Sequence, residues 1–323
     1  MKKYPKVSII IPLYVISDRF FSDLRHYQNL DYPDFEILVV CDKKVDLPKL
    51  KGVKVKLLLT GKKNTGPAAK RDLAIKKVRG EICAFIDDDA YPDRAWLKKA
   101  VRHFKKNEII AVGGPGITPQ EDFYWEKVAG LSYESFFMSG AAQHRFIPLS
   151  PRYLNDWPAY NLLVRKSTLA KVGGYGNSFY GGEDTFLCLK LIKFGKIYYE
   201  PEAVIYHHRR KILLGFLSQI ANVGLHRGYF ARIFPETSRK LFYFLPSILT
   251  ALLFSFVVIA FIQPPLISLL IYSILFFIFL GAMSVINKTN LITSILVGLC
   301  IIFAHTTYGI YFIWGLLKKD LKK

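Results

Sequence analysis

The chain has 323 residues, 51% of them hydrophobic and 15% aromatic, with a mean hydropathy of +0.22. That composition excludes a disordered chain, a collagen and a small disulfide scaffold, and it is too apolar for a purely soluble protein. Lys plus Arg at 45 against Asp plus Glu at 25 gives a net charge of +20, which admits nucleic acid, anionic lipid or phosphate-bearing substrates as partners.

The first strong pattern is at the N-terminus. Lys2 and Lys3 precede an apolar run from Val7 to Ile16, but Pro12 interrupts it and no small-residue cleavage site follows. The run reads as a buried strand over Val7 to Pro12, and residue 1 is expected to remain in the mature chain. Next come a helical segment at Asp18 to Leu30 and strands at Glu36 to Cys41 and Val53 to Leu59. A helix over Gly66 to Val78 and a strand at Ile82 to Ile86 follow. This alternation predicts an α/β sheet with helices on both faces, whose ligands bind beyond the carboxyl ends of the strands.

Chemistry concentrates where that rule directs it. Asp87, Asp88 and Asp89 end an apolar strand, and three adjacent carboxylates repel one another unless a cation or hydrogen-bond donors compensate. A divalent ion with oxygen ligands would do so, and a solvated turn capping a following helix is the plainer reading. Asn64 to Arg71 joins a glycine turn, a helix-starting Pro67 and the cations Lys70 and Arg71, which suits an anionic group or is only a turn. Gly181 and Gly182 precede Glu183 and Asp184 at the head of an amphipathic stretch, Thr185 to Phe194, either as reactive carboxylates or as a helix cap. A short strand within Pro201 to Arg210 then ends on His207 and His208, a pair better suited than a lone histidine to hold a ligand.

The C-terminal third differs in kind. From Leu241 onward there are five basic residues and one acid, leaving 40 and 24 in the first 240, a net charge of +16 there. Three apolar stretches, about 241–262, 266–286 and 291–317, match the length of membrane spans; the third, with His305, Thr306 and Thr307, is the least apolar and also fits a re-entrant or interfacial segment. Leu213 to Phe234 mixes apolar residues with His226, Arg227 and Arg232, as a helix on the bilayer surface would, or an ordinary helix packed on the sheet. The expected organisation is a catalytic domain over 1–212, an amphipathic interface segment over 213–240 and a transmembrane region over 241–323. Cys41, Cys83, Cys188 and Cys300 form no paired motif, consistent with a reducing compartment. Basic residues before Leu241 and Lys288 in the second turn predict that the catalytic part faces the cytoplasm; a full third span would carry the lysine-rich tail the other way.

Taken together, the segments Val7 to Tyr14, Glu36 to Asp42, Gly66 to Asp72, Gly80 to Asp89, Gly181 to Asp184 and Pro201 to His207 resemble the family 2 glycosyltransferases, inverting enzymes with the GT-A fold, a Rossmann-like mixed sheet. Gly113 to Pro119 and Asn161 to Arg165 are similar to membrane-anchored members of the succinoglycan-biosynthesis type. The resemblance implies a UDP- or GDP-sugar donor contacted by Pro12, Tyr14, Asp42, Arg71, Asp87 and Asp88. It also implies Mg²⁺ or Mn²⁺ held by Asp89 and His207, with His208 as the lesser alternative. Asp184 would be the general base, with Glu183 beside it. The implied reaction, at the cytoplasmic membrane, is transfer to a hydroxyl of a lipid-linked saccharide in polysaccharide or glycan biosynthesis. Leu13 and Val15, Cys41 and Asp72 depart from common family residues and leave base and sugar open. Alternatives are a polyprenyl-phosphate sugar synthase, a processive synthase or an inactive scaffold; no Gln-x-x-Arg-Trp motif favours the processive one, and no groove-reading motif favours nucleic acid.

Overall fold

The structure, a computed structural model, describes residues 4–176, 179 and 181–321. In chain order its elements are β1 (Val7–Pro12), α1 (Asp18–Leu24), β2 (Phe35–Cys41), β3 (Lys54–Leu59), α2 (Pro67–Ile75), β4 (Ile82–Ile86), β5 (Ala90–Pro92), α3 (Trp96–Val101), β6 (Ile109–Gly113) and β7 (Gly116–Ile117). There follow α4 (Tyr124–Glu134), α5 (Phe136–Ser139), β8 (Arg152–Leu154), β9 (Asn161–Arg165), α6 (Lys166–Val172), α7 (Glu183–Leu191), β10 (Lys196–Tyr199) and β11 (Ile205–His207). The last helices are α8 (Leu214–Ile233), α9 (Pro235–Ser238), α10 (Leu241–Ile262), α11 (Leu266–Met283) and α12 (Leu291–Leu317).

The chain divides into two compact units: residues 1–117 with 147–208, and residues 118–146 with 209–321. The first is built on an eight-stranded sheet in the order β3-β2-β1-β4-β9-β6-β10-β8. β3, β2, β1 and β4 run parallel, β9 is antiparallel to both β4 and β6, and β8 is antiparallel to β10. Side chains alternate across it as a pleated strand requires. Ile9 and Ile11 of β1 with Ile82, Ala84 and Ile86 of β4 pack against Phe20 and Leu24 of α1 and Trp96 and Leu97 of α3. Ile10 of β1 with Cys83 and Phe85 of β4 join Ala68 and Ala74 of α2 and Leu187, Cys188 and Leu191 of α7 on the other face. Burial on both faces is why these strands read as unbroken apolar runs.

β1 has β2 on one side and β4 on the other, so the chain reverses its direction of travel across the sheet there. A crevice opens at such a switch point, beyond the carboxyl ends of β1 and β4. A small second sheet, β5-β11-β7, adjoins it in sequence, with β11 antiparallel to β5 and His207 in register with Ala90. The helical segment expected to reach Leu30 ends as an α-helix at Leu24 and tightens into a 3₁₀ turn over Arg25–Asn29.

In the second unit, residues 118–146 group with the C-terminal helices, although they fall inside the 1–212 stretch that the sequence marks off. α4 and α5 carry Val128, Ala129 and Met138 into apolar clusters with Val297, Cys300, Ile301 and Ala304 of α12. Three helices, α10, α11 and α12, with 22, 18 and 27 residues, are long and apolar enough to cross a membrane. α12 is one uninterrupted helix, and the second apolar stretch ends its helix at Met283. α8 departs from a surface helix with one apolar stripe, because consecutive residues from His226 to Ala231 are all buried. The cause is close packing: a Cβ on Gly224 or Gly228 would come within 2.7 Å of the Tyr308 carbonyl or 2.0 Å of that of Phe312 on α12. Small residues spaced by four let helix backbones approach in this way.

Candidate active site

Every candidate site residue lies in the first unit. Arg71, on the second turn of α2, is its hub. It is 2% exposed; Nη2 lies 2.6 Å from Asp87 Oδ1, while Nη1 lies 3.2 Å from Glu183 Oε1 and 3.5 Å from Asp184 Oδ1. One guanidinium therefore joins the end of β4 to the start of α7, a fork geometry that lysine cannot reproduce. The resemblance assigned this arginine to base or diphosphate; here its nitrogens face three carboxylates.

Glu183 and Asp184 form the first turn of α7, where the helix dipole favours anions. Gly181 and Gly182 precede them at φ +105° and +86°, backbone conformations that strain any residue with a Cβ. The Gly181 amide donates to Glu183 Oε2 at 2.8 Å, and the Ala159 amide to Asp184 Oδ2 at 3.0 Å. Burial, reinforced by the neighbouring charge of Glu183, pushes the Asp184 carboxyl well above the ordinary carboxylate range despite Arg71.

The three aspartates after β4 separate into three settings. Asp87 faces Arg71, and burial still raises its carboxyl. Asp88 turns to the loop after β1, accepting from the amides of Tyr14 at 2.6 Å and Val15 at 3.1 Å. Burial and the adjacent Asp89 push it up to about 6. Asp89 Oδ1 is 3.0 Å from Nε2 of His207, delivered by β11. His208 points elsewhere: its Nε2 lies 3.2 and 3.4 Å from the two carboxylate oxygens of Asp23 on α1.

Asp87, Asp89 and His207 each offer a ligand atom, all within 4.8 Å of one another. Two carboxylates and an imidazole, where burial and then the neighbouring Asp89 hold Asp87 and Asp88 above their usual range, form a donor set that fits a hard divalent ion such as Mn²⁺ or Mg²⁺.

Pro12 closes β1 and the Tyr14 side chain is 62% exposed. Asp42 accepts from Thr60 Oγ1 at 2.7 Å and from the Thr65 amide at 3.0 Å. Lys70, absent from the residues implied by the resemblance, is 2% exposed; its Nζ donates to the Leu13 carbonyl at 2.8 Å and lies 3.5 Å from Asp42. It fixes the loop that carries Tyr14. Asn161 was also missed as a site-building residue. Buried at the head of β9, it accepts from Trp96 Nε1 at 2.8 Å and donates to the carbonyls of Pro115 at 3.1 Å and Ala203 at 2.8 Å. The available signal was an asparagine opening an apolar strand.

A mixed sheet with an acidic, metal-competent strand end and a carboxylate pair at the head of a facing helix defines the GT-A class of glycosyltransferase folds. Residues 8–151 match the family model Glycosyl transferase family 2. It is 29% identical over 161 residues to a pre-mycofactocin glycosyltransferase of Mycobacterium tuberculosis, covering 49% of this chain and 33% of that protein. To glycosyltransferase AglE of Haloferax volcanii it is 27% identical over 190 residues, covering 56% and 59%. Among solved structures, a mannosyltransferase from Pyrobaculum calidifontis in complex with GDP-Man and Mn²⁺ shares the fold. The TM-score is 0.51 at 18% identity, over 70% of this chain and 63% of that one. The chain thus spans between a third and under two thirds of these relatives.

Proposed function

We propose that the protein is a membrane-bound, metal-dependent inverting glycosyltransferase that moves a sugar from a nucleoside diphosphate onto a hydroxyl of a lipid-linked saccharide, at the cytoplasmic face of the cytoplasmic membrane. The observation that carries the reading is the buried Arg71, which joins Asp87, beside the Asp89–His207 pair, to Glu183 and Asp184. The relative solved with GDP-Man and Mn²⁺ supports both the donor class and the ion. The three long apolar helices support membrane attachment, and the basic excess of the first 240 residues supports a cytoplasmic catalytic part.

In this reading Pro12, Tyr14, Asp42 and Lys70 form the side of the crevice that takes the nucleotide, with Asp88 holding the Tyr14 loop. Asp89 and His207, with Asp87, would hold the ion, whose chemistry when bound would be to neutralise negative charge on a diphosphate. Asp184 takes the proton from the acceptor hydroxyl as its oxygen bonds to the anomeric carbon. The bond from that carbon to the diphosphate oxygen breaks on the opposite face, so configuration inverts. A carboxyl raised above its usual range is a stronger base once ionised, which suits a hydroxyl. Arg71 orients Glu183 and Asp184.

The test is a panel of UDP- and GDP-sugars offered to the full-length protein in nanodiscs containing membrane lipid extract, with Mn²⁺ or Mg²⁺, reading nucleoside diphosphate released. Release from one donor class that chelation abolishes supports the reading; no release from any donor with either ion overturns it. Transfer to a polyprenyl phosphate that survives Asp184→Asn would move the acceptor from a hydroxyl to the lipid phosphate.

A further inference from the structure

The sequence offers two adjacent histidines after the same short strand, and only one can face Asp89. Consecutive residues of an extended strand point to opposite sides, so whatever holds one ring decides where the other goes. What holds His208 is Asp23, the last residue but one of α1. Both side chains are nearly buried, at 6% and 7% exposed, and the ring nitrogen lies 3.2 Å from the nearer carboxylate oxygen. The backbone of His208 is tied as well: its amide donates to the Asp89 carbonyl at 2.9 Å. Tyr91 lies at 5.8 Å from the His208 ring and itself stacks on Tyr206 at 5.0 Å, so the residue before His207 is also packed. Tyr27, four residues beyond Asp23, is 1% exposed, and its hydroxyl has no hydrogen-bond partner among the described residues; the nearby carboxylates of Asp23 and Asp87 act on it.

We propose that Asp23 is a positioning residue for the divalent ion: by holding His208 on the α1 side, it fixes the register of β11 so that His207 meets Asp89 at ligand spacing. The inference rests on the reading of Asp89 and His207 as metal ligands. Asp23 touches neither the ion nor the substrate in this role. It acts as the outer partners of metal ligands do, by orienting groups that bind, and loss of such partners weakens metal affinity by roughly 10–100-fold.

The experiment measures Mn²⁺ binding to the full-length protein in detergent by electron paramagnetic resonance, without donor, for wild type, Asp23→Asn, His208→Gln, Asp23→Glu and Asp89→Ala. The expected result is Mn²⁺ affinity lower by roughly 10–100-fold in Asp23→Asn and in His208→Gln, with partial recovery in Asp23→Glu. Nitrogen modulation from an imidazole on the ion, present in wild type, weakens in Asp23→Asn. A thermal transition near that of wild type separates this from general unfolding, and where Asp23→Asn does not fold, His208→Gln carries the same decision. Wild-type affinity and nitrogen signal in the folded variants, with Asp89→Ala defective, overturns the role of Asp23 and leaves the metal site standing. Wild-type affinity in Asp89→Ala overturns the metal site itself, and this inference with it.

Discussion

Arg71 Nη2 stands 2.6 Å from Asp87 Oδ1, and this contact ties helix α2 to the end of strand β4. Because the other terminal nitrogen serves Glu183 and Asp184, the end of β4 and the head of α7 share one cation. Geometry and charge at the two sides are therefore coupled.

Removing that cation leaves three partly buried carboxylates without their common partner. Arg71→Met is expected to lower stability by about 3–5 kcal/mol, the usual cost of breaking a buried ion pair from one side. Arg71→Lys, which keeps charge without the fork, should still lose most activity. Thermal denaturation and nucleoside diphosphate release measure the two effects; a wild-type Arg71→Lys enzyme would refute the bridging role.

Asp184 must be ionised to accept a proton, and burial with Glu183 beside it raises its carboxyl. The value of kcat/KM should therefore climb with pH well beyond the range where an ordinary aspartate, near pH 3.9, titrates. Asp184→Asn should remove both the climb and the activity. A profile already flat from about pH 5 upward would contradict this assignment.

Glu200 behaves in the opposite sense. Burial alone would raise its carboxyl, but contacts from His103 at 2.5 Å and Arg102 at 2.8 Å prevail and hold it down to about 2. A depressed folded value contributes stability above the unfolded value, about 4.3, and loses it as pH falls toward 2. Acid titration of the melting temperature should show less loss over that window in Glu200→Gln than in wild type.

Gly114 allows a backbone approach that no other residue permits: an added Cβ would lie 1.9 Å from the Ala203 carbonyl. That carbonyl also accepts from Asn161, so Gly114→Ala should push apart the loop leading to β11. The expected loss is about 1–3 kcal/mol or more, seen as a lower melting temperature.

Much of this was legible in the sequence, for identifiable reasons. β1 and β4 occupy the expected residues because strands covered on both faces announce themselves as apolar runs with sharp ends. The acids were visible because three adjacent carboxylates at the end of an apolar strand repel one another and call for a compensating cation or donors. Two other kinds of information were not local. That His207 rather than His208 meets Asp89 depends on Asp23, 185 residues away from His208 in the chain. That residues 118–146 belong with the C-terminal helices depends on Tyr124 and Glu134 meeting Thr293 and Lys288, contacts no periodicity encodes. Arg71 showed as a cation at a helix start, which suggested an anionic ligand; its burial among the protein's own acids appears only once β4 and α7 are brought together.

The central claim is that Asp89 and His207 would hold a divalent ion supplying charge neutralisation for a departing nucleoside diphosphate. It is tested most directly by measuring nucleoside diphosphate release from the full-length protein with its best donor, comparing wild type with Asp89→Ala, each with Mn²⁺ and with chelator. Several kcal/mol of charge stabilisation correspond to a loss of about a hundredfold or more, expected equally for chelated wild type and for Asp89→Ala with Mn²⁺. Release at the wild-type rate by Asp89→Ala, or by chelated wild type, would contradict the account.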